Sequence, residues 1–188
     1  GAANDSYNVD EDTALNVPAP GVLTNDADGD GDALTSVLQN NVAHGTLTLN
    51  SNGSFTYTPE ADFNGTDSFT YMANDGNADS NAATVTITVK AVNDAPVANA
   101  DSYVANEDVA LDVPAANGVL SNDTDMENDS LTAVKITNPL HGALTFNADG
   151  SFTNTPNADY NGYDSFTYKA NDGDKDSNAT IVTINVSA

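Results

Sequence analysis

The sequence contains no cysteine, and only four basic residues stand against 28 acidic ones. Without cysteine no disulfide can staple the fold, and thiols say nothing about compartment. Each domain must then depend on its own core or on bound metal. With so few bases the chain presents no positive surface, and a net charge of −24 repels nucleic acid and anionic membranes. No apolar run approaches the ~18 residues that span a bilayer, so membrane insertion is not expected. No leader peptide is apparent, and Gly1-Ala2 reads as an added terminus, with the natural N-terminus elsewhere. Helix signals are nearly missing.

Catalytic signatures are missing as well. There is no cysteine nucleophile, no serine in a nucleophile-elbow pattern and no glycine-rich phosphate loop. His44 and His141 occupy equivalent turns, each alone, and read as turn-packing or exposed residues. Paired carboxylates can hydrolyse glycosides, but among so many acids proximity is uninformative. The chain reads as a non-enzyme.

What is present is repetition. Asp26 of Asn25-Asp26-Ala27-Asp28 recurs as Asp123 of Asn122-Asp123-Thr124-Asp125, an offset of 97 residues (123 − 26). The same offset links His44-Gly45 to His141-Gly142 and Asp67-Ser68-Phe69-Thr70-Tyr71 to Asp164-Ser165-Phe166-Thr167-Tyr168. Upstream the offset is 96 (101 − 5), from Asp5-Ser6-Tyr7 to Asp101-Ser102-Tyr103. A period this long exceeds the ~20–50 residues of solenoid units and lets each copy bury its own core. The expected organisation is a domain over 3–92, a linker over 93–97 and a second domain over 98–188. Within the linker, Pro96 biases Ala95 toward extended backbone, and no flexible Gly-Ser tract loosens the joint.

Short alternating runs of Val, Thr, Tyr and Phe bounded by Asn, Asp and Gly predict strands and tight turns. In Val85-Thr86-Ile87-Thr88-Val89 the aliphatic residues should face a core and the threonines water. Phe69 with Tyr71, and Leu47 with Leu49, should point inward in the same way. Leu34–Leu38 reads as a strand, and Ala14–Val17 as a short edge strand ended by Pro18. Asn52-Gly53 and Asp149-Gly150 are hairpin signals. About seven strands per copy predict an all-β fold of two tandem antiparallel β-sandwiches. Tyr57 becomes Asn154 in the second copy, which predicts a position outside the deep core. Thr66 becomes Tyr163 and Phe63 becomes Tyr160. These rings either cover the end of the sandwich or offer a stacking surface to sugars or a partner.

The acids cluster at turn tips. Asp26, Asp28, Asp30 and Asp32 alternate through one glycine-containing turn, a spacing that can gather oxygens around a hard divalent cation at ~2.3–2.6 Å. The helices and closing acid of an EF-hand are missing, since its twelfth position would be Val37. The second copy keeps Asp123, Asp125 and Asp129, and places Glu127 where Asp30 stood. Calcium binding and a merely solubilising acidic coat are the competing readings. Clustering at turns favours calcium.

Several segments together resemble a known family. They are Asp10-Glu11-Asp12, Gly21-Val22-Leu23-Thr24-Asn25-Asp26-Ala27-Asp28, Gly53-Ser54-Phe55-Thr56-Tyr57-Thr58-Pro59, Phe63-Asn64-Gly65-Thr66-Asp67-Ser68-Phe69, Tyr71-Met72-Ala73-Asn74-Asp75-Gly76, and the joint Val92-Asn93-Asp94-Ala95-Pro96. In order and spacing this is similar to the bacterial cadherin-like repeats, akin to VCBS repeats, of large surface and secreted proteins. The resemblance implies seven-stranded, Ig-like Greek-key sandwiches with calcium at the junction of successive domains. By position it implies ligands Glu11 and either Asp62 or Asp67 from the first copy, Asn93 and Asp94 from the linker, and Asp123, Asp125 and Asp172 from the second. Asp26, Asp28 and Asp75 would face a preceding domain. Glu107, Asp159 and Asp164 would face a following one. The linker has one Asn-Asp pair where cadherins carry a longer acidic run, so the acidic turns could instead bind calcium within each domain. The implied setting is extracellular, secreted or at the cell surface. The implied partners are other cadherin-like domains, homophilic or heterophilic, or a polysaccharide. The alternative role is a calcium-stiffened spacer in a large adhesin or secreted enzyme.

Overall fold

The computed structural model describes residues 1–188, divided into two compact units, Gly1–Val92 and Asn93–Ala188. In the first unit the strands are β1 (Asp5–Asp10), β2 (Leu15–Val17), β3 (Thr35–Asn40), β4 (Gly45–Leu49), β5 (Phe55–Pro59), β6 (Gly65–Asn74) and β7 (Ala83–Lys90). The second repeats them as β8 (Asp101–Asn106), β9 (Leu111–Val113), β10 (Thr132–Lys135), β11 (Gly142–Phe146), β12 (Phe152–Pro156), β13 (Gly162–Asn171) and β14 (Thr180–Ser187). Each unit is a sandwich of a four-stranded and a three-stranded sheet, ordered β1-β7-β6-β3 over β2-β5-β4 and β8-β14-β13-β10 over β9-β12-β11.

Alternation builds the core. Val85, Ile87 and Val89 are buried on β7, and across the register Phe69 opposes Val85 on β6. Phe55 meets both Tyr7 and Phe69 edge to face, with centroids 5.1 and 5.4 Å apart, an arrangement that adds to the area these rings bury. Phe152 does the same with Tyr103 and Phe166. The hairpins β4-β5 and β11-β12 turn at Gly53 and Gly150, whose φ values of 83° and 81° suit glycine.

The structure corrects three expectations. The sandwiches are not wholly antiparallel: β1 runs parallel to β7, and β8 to β14. The first strand joins the long sheet beside the last one, and both run in the same direction. The strand expected at Leu34–Leu38 spans Thr35–Asn40. There Ser36 points inward and donates to Asn50 O at 2.7 Å, leaving Val37 and Leu38 exposed. Finally, the Tyr57/Asn154 position lies in the deep core, with exposures of 0% and 1%. The polarity of asparagine suggested a surface site, but the inward phase of β12, Phe152-x-Asn154-x-Pro156, overrides it.

Candidate metal centre

At the end of each unit where β1 or β8 begins, a tyrosine hydroxyl gathers carboxylates. Tyr71, fully buried on β6, has its hydroxyl 2.6 Å from Val22 O and 2.9 Å from Asp26 Oδ2. Ala3 O and Asp5 Oδ2 follow at 3.3 Å each. Burial, and then the charge of Asp26, push the Asp5 carboxyl up to about 6 against the lowering effect of Tyr71. Tyr168 repeats the arrangement with Val119 O at 2.6 Å, Asp123 at 2.9 Å and Asp101 at 3.4 Å. Burial and the charge of Asp123 likewise bring Asp101 to about 6, and burial raises Asp123 itself.

A second set of acids lies further out in the turns. Asp28 Oδ1 accepts from Asp30 N (2.9 Å) and Asp32 N (3.2 Å), which hold its carboxyl below the ordinary range. Asp75 Oδ1 accepts from Asn77 N and Ala78 N, both at 2.7 Å, with the same effect. Asp28, Asp75 and Asp79 line one cleft of about 130 Å³. In the second unit Asp125 Oδ1 accepts from Asp129 N at 2.8 Å. Asp172 takes Asn93 Nδ2 on Oδ2 at 2.9 Å and the amides of Asp174 and Lys175 on Oδ1, which lower its carboxyl. Asp94 N donates to Glu127 Oε2 at 3.1 Å. Asn93 therefore joins the turn that carries Asp172, and Asp94, through its amide, the turn that carries Asp125 and Glu127. Within this group Asp125 Oδ2 is buried and has no hydrogen-bond partner. A buried carboxylate oxygen without a partner is costly, and a cation is the simplest group to satisfy it. The oxygen-only donor set suits calcium in particular.

The remaining candidates sit elsewhere. Glu11, at the far end of β1, is buried; its carboxylate accepts from Val92 N (2.6 Å) and Asn64 Nδ2 (3.2 Å). Asp62 lies beside Asp12, whose Oδ1 accepts its amide at 3.1 Å. Asp159 and Asp108 repeat this pair, and Glu107 accepts from Asn161. Asp67 faces the core instead. It accepts from the amides of Ala43, His44 and Ser68 and from Tyr57. Burial alone would raise it, but these donors outweigh burial and lower it. Asp164 holds the amides of Leu140, His141 and Ser165 in the same way. Of the alternatives Asp62 and Asp67, the second is thus occupied in fixing the His44 turn. Tyr160 is half-buried, stacked on His141 at 4.3 Å and donating to Tyr163 O at 2.7 Å. Tyr163 is 73% exposed and Leu140 85%.

Sequence reasoning missed Asp5 and Asp101, whose signal was the repeated Asp-Ser-Tyr triplet. It also missed Lys175, which donates from Nζ to the carbonyl of Asn93 and replaces Ala78 of the first unit.

A family model described as the bacterial cadherin-like domain matches residues 1–91 and again 93–188. Among solved structures, repeats EC21–23 of human CDH23 are similar, with 16% identity, a TM-score of 0.63, and 97% of this chain and 67% of that one covered. Human mucin-like protocadherin EC1–2 gives 14% identity and a TM-score of 0.54, with 98% and 96% covered. An endo-fucoidan hydrolase, MfFcnA4 of glycoside hydrolase family 107, matches with 23% identity and a TM-score of 0.39 over 98% of this chain. The chain spans only 27% of that hydrolase's length. No curated protein matches the chain.

Proposed function

We propose, for a chain that belongs to the bacterial cadherin-like domain family in both of its units, that it is a non-catalytic, calcium-binding module of an extracellular protein. In the second unit the ligands are Asp123, Asp125 and Asp172 with Asn93 and Asp94. In the first they are Asp26, Asp28 and Asp75. Glu11 and Asp62 are secondary candidates at the opposite end of the first unit. The buried, unpartnered Oδ2 of Asp125 carries the proposal. Calcium would also relieve repulsion among carboxylates held together by the fold.

Bound calcium orders the acidic turns, and the ordered module mediates calcium-dependent adhesion to other cadherin-like domains or to a polysaccharide. The exposed Tyr163 and Leu140 of the second unit support such contact. A second reading is a calcium-stiffened spacer. The acidic turns recur in both units, as repetition along a stalk requires, whereas Tyr163 has Thr66 as its counterpart.

Calorimetric titration of the chain with calcium tests the metal site. Extracellular modules bind at roughly 10⁻⁴–10⁻³ M, and Asp125→Asn should weaken or remove one class of site. An absence of binding heat up to about ten times that range, or an isotherm unchanged by Asp125→Asn, would refute it. Retention on insoluble polysaccharide, or self-association, that calcium supports and chelator abolishes separates the adhesive reading from the spacer.

A further inference from the structure

The two units differ in one buried place. In the first, Tyr57 reaches from β5 across the sandwich, and its hydroxyl lies 3.1 Å from both Asp67 Oδ2 and His44 O. In the second, Asn154 holds the same position between Leu111 and Leu144 in the register of β12. It is 1% exposed, and neither Nδ2 nor Oδ1 finds a protein partner. The acceptors that Tyr57 satisfies are kept: Asp164 is buried opposite, and the His141-Gly142 turn is held by it through the His141 amide at 2.8 Å.

A glycine fixes where the carboxamide sits. A Cβ added to Gly45 would meet Tyr57 Cε2 at 2.8 Å, and one added to Gly142 would meet Asn154 Oδ1 and Nδ2 at 3.1 and 3.4 Å. The amide therefore occupies the stretch of core wall that the phenol ring covers in the first unit. It lacks the length to reach the carboxylate beyond. The flanking residues do not enlarge to compensate, since Leu111 and Leu144 repeat Leu15 and Leu47. The nearby enlargements do not fill it: Phe146, in place of Leu49, turns toward Phe166 and Tyr168, Leu140, in place of Ala43, is exposed, and the hydroxyl that Tyr160 adds to Phe63 donates to Tyr163 O.

We infer that the second unit holds ordered internal water at this position, which does the work of the Tyr57 hydroxyl. A water there accepts from Asn154 Nδ2 and donates to Asp164 Oδ2 and the His141 carbonyl, about three bonds, as buried waters typically make. A second water donates to Asn154 Oδ1. The alternative, a fully buried carboxamide with no partner at all, is among the rarest arrangements in folded proteins. Water is a better occupant than a cation, because Nδ2 is a donor and the lining contains both donors and acceptors.

The test is water relaxation dispersion together with water-to-amide NOEs on the whole, isotopically labelled chain. The Asn154 side-chain amide should show NOEs of negative sign to a long-lived water. Asn154→Tyr should remove that signal and lower the dispersion amplitude by the share of one or two internal waters. Should the tyrosine not fit, Asn154→Leu keeps the branched shape at Cγ while removing the donor and the acceptor, and is expected to give the same loss. The inference fails if the native amide shows no long-lived water, or if a folded variant keeps the full amplitude. It also fails if a crystal structure shows Asn154 bonded to protein atoms.

Discussion

Replacing Tyr71 by phenylalanine removes one oxygen and changes nothing else in the shape of the first core. Four acceptors lie within 3.3 Å of that oxygen, and the two nearest are Val22 O at 2.6 Å and the Asp26 carboxylate at 2.9 Å. A hydrogen bond to a charged group contributes about 1.5–3 kcal/mol, and a buried acceptor left unpaired costs a similar amount. Asp26 keeps the Ala3 amide on its other oxygen at 2.8 Å, which favours the lower half of that range. We expect a loss of about 2 kcal/mol, or roughly 8–16 °C in Tm for a unit of this size. Differential scanning calorimetry in chelator should show one transition fall while the other stays. Tyr168→Phe should move the other one. Asp5 should also become harder to ionise, because Tyr71 is the main group that lowers its pKa. The variant should therefore regain more stability than the native chain between pH 7 and pH 5. A Tm change below about 3 °C, or a shift of both transitions together, would refute the reasoning.

Other outcomes follow from the same geometry. Asp5 and Asp101 titrate near 6 in the folded chain against an ordinary value of 3.8. The folded state then holds more protons than the unfolded one between these values, so these two groups favour stability as pH falls from about 7 toward 4. Thermal melts in chelator across that range check the sign, and melts that only fall with acid would contradict it. Gly53→Ala would set a Cβ 1.9 Å from Pro20 O at a residue with φ of 83°. It should destabilise the first unit by about 2–5 kcal/mol, and urea unfolding measures this directly.

Strand alternation was legible in the sequence because the inward residues of β5 and β7, and of β6 from Phe69 onward, are apolar or aromatic in strict period two, and Gly53 and Gly150 mark hairpins. The pairing of β1 with β7 was not legible, because which strand borders an edge is set by sheet packing and not by local pattern. Asn154 misled because a single polar residue inside an alternating strand looks the same whether it meets water at the surface or in the interior. At the candidate metal centre, the turn acids were readable from their spacing. Asp67 was not separable from them: its task of holding the Ala43 and His44 amides depends on a turn 23 and 24 residues away in sequence.

The parallel pairing of the first and last strands has a mechanical consequence. In each unit the chain enters at the start of β1 and leaves at the end of β7, or by way of β8 and β14, so entry and exit lie at opposite ends of one ladder. Tension between them slides the two strands past each other and loads all six paired positions from Asp5–Val85 to Asp10–Lys90 together. The bonds cannot open one after another, as they would in a hairpin pulled at its open end. Each sandwich is thereby built to fail in shear, the geometry that best resists a steady pull.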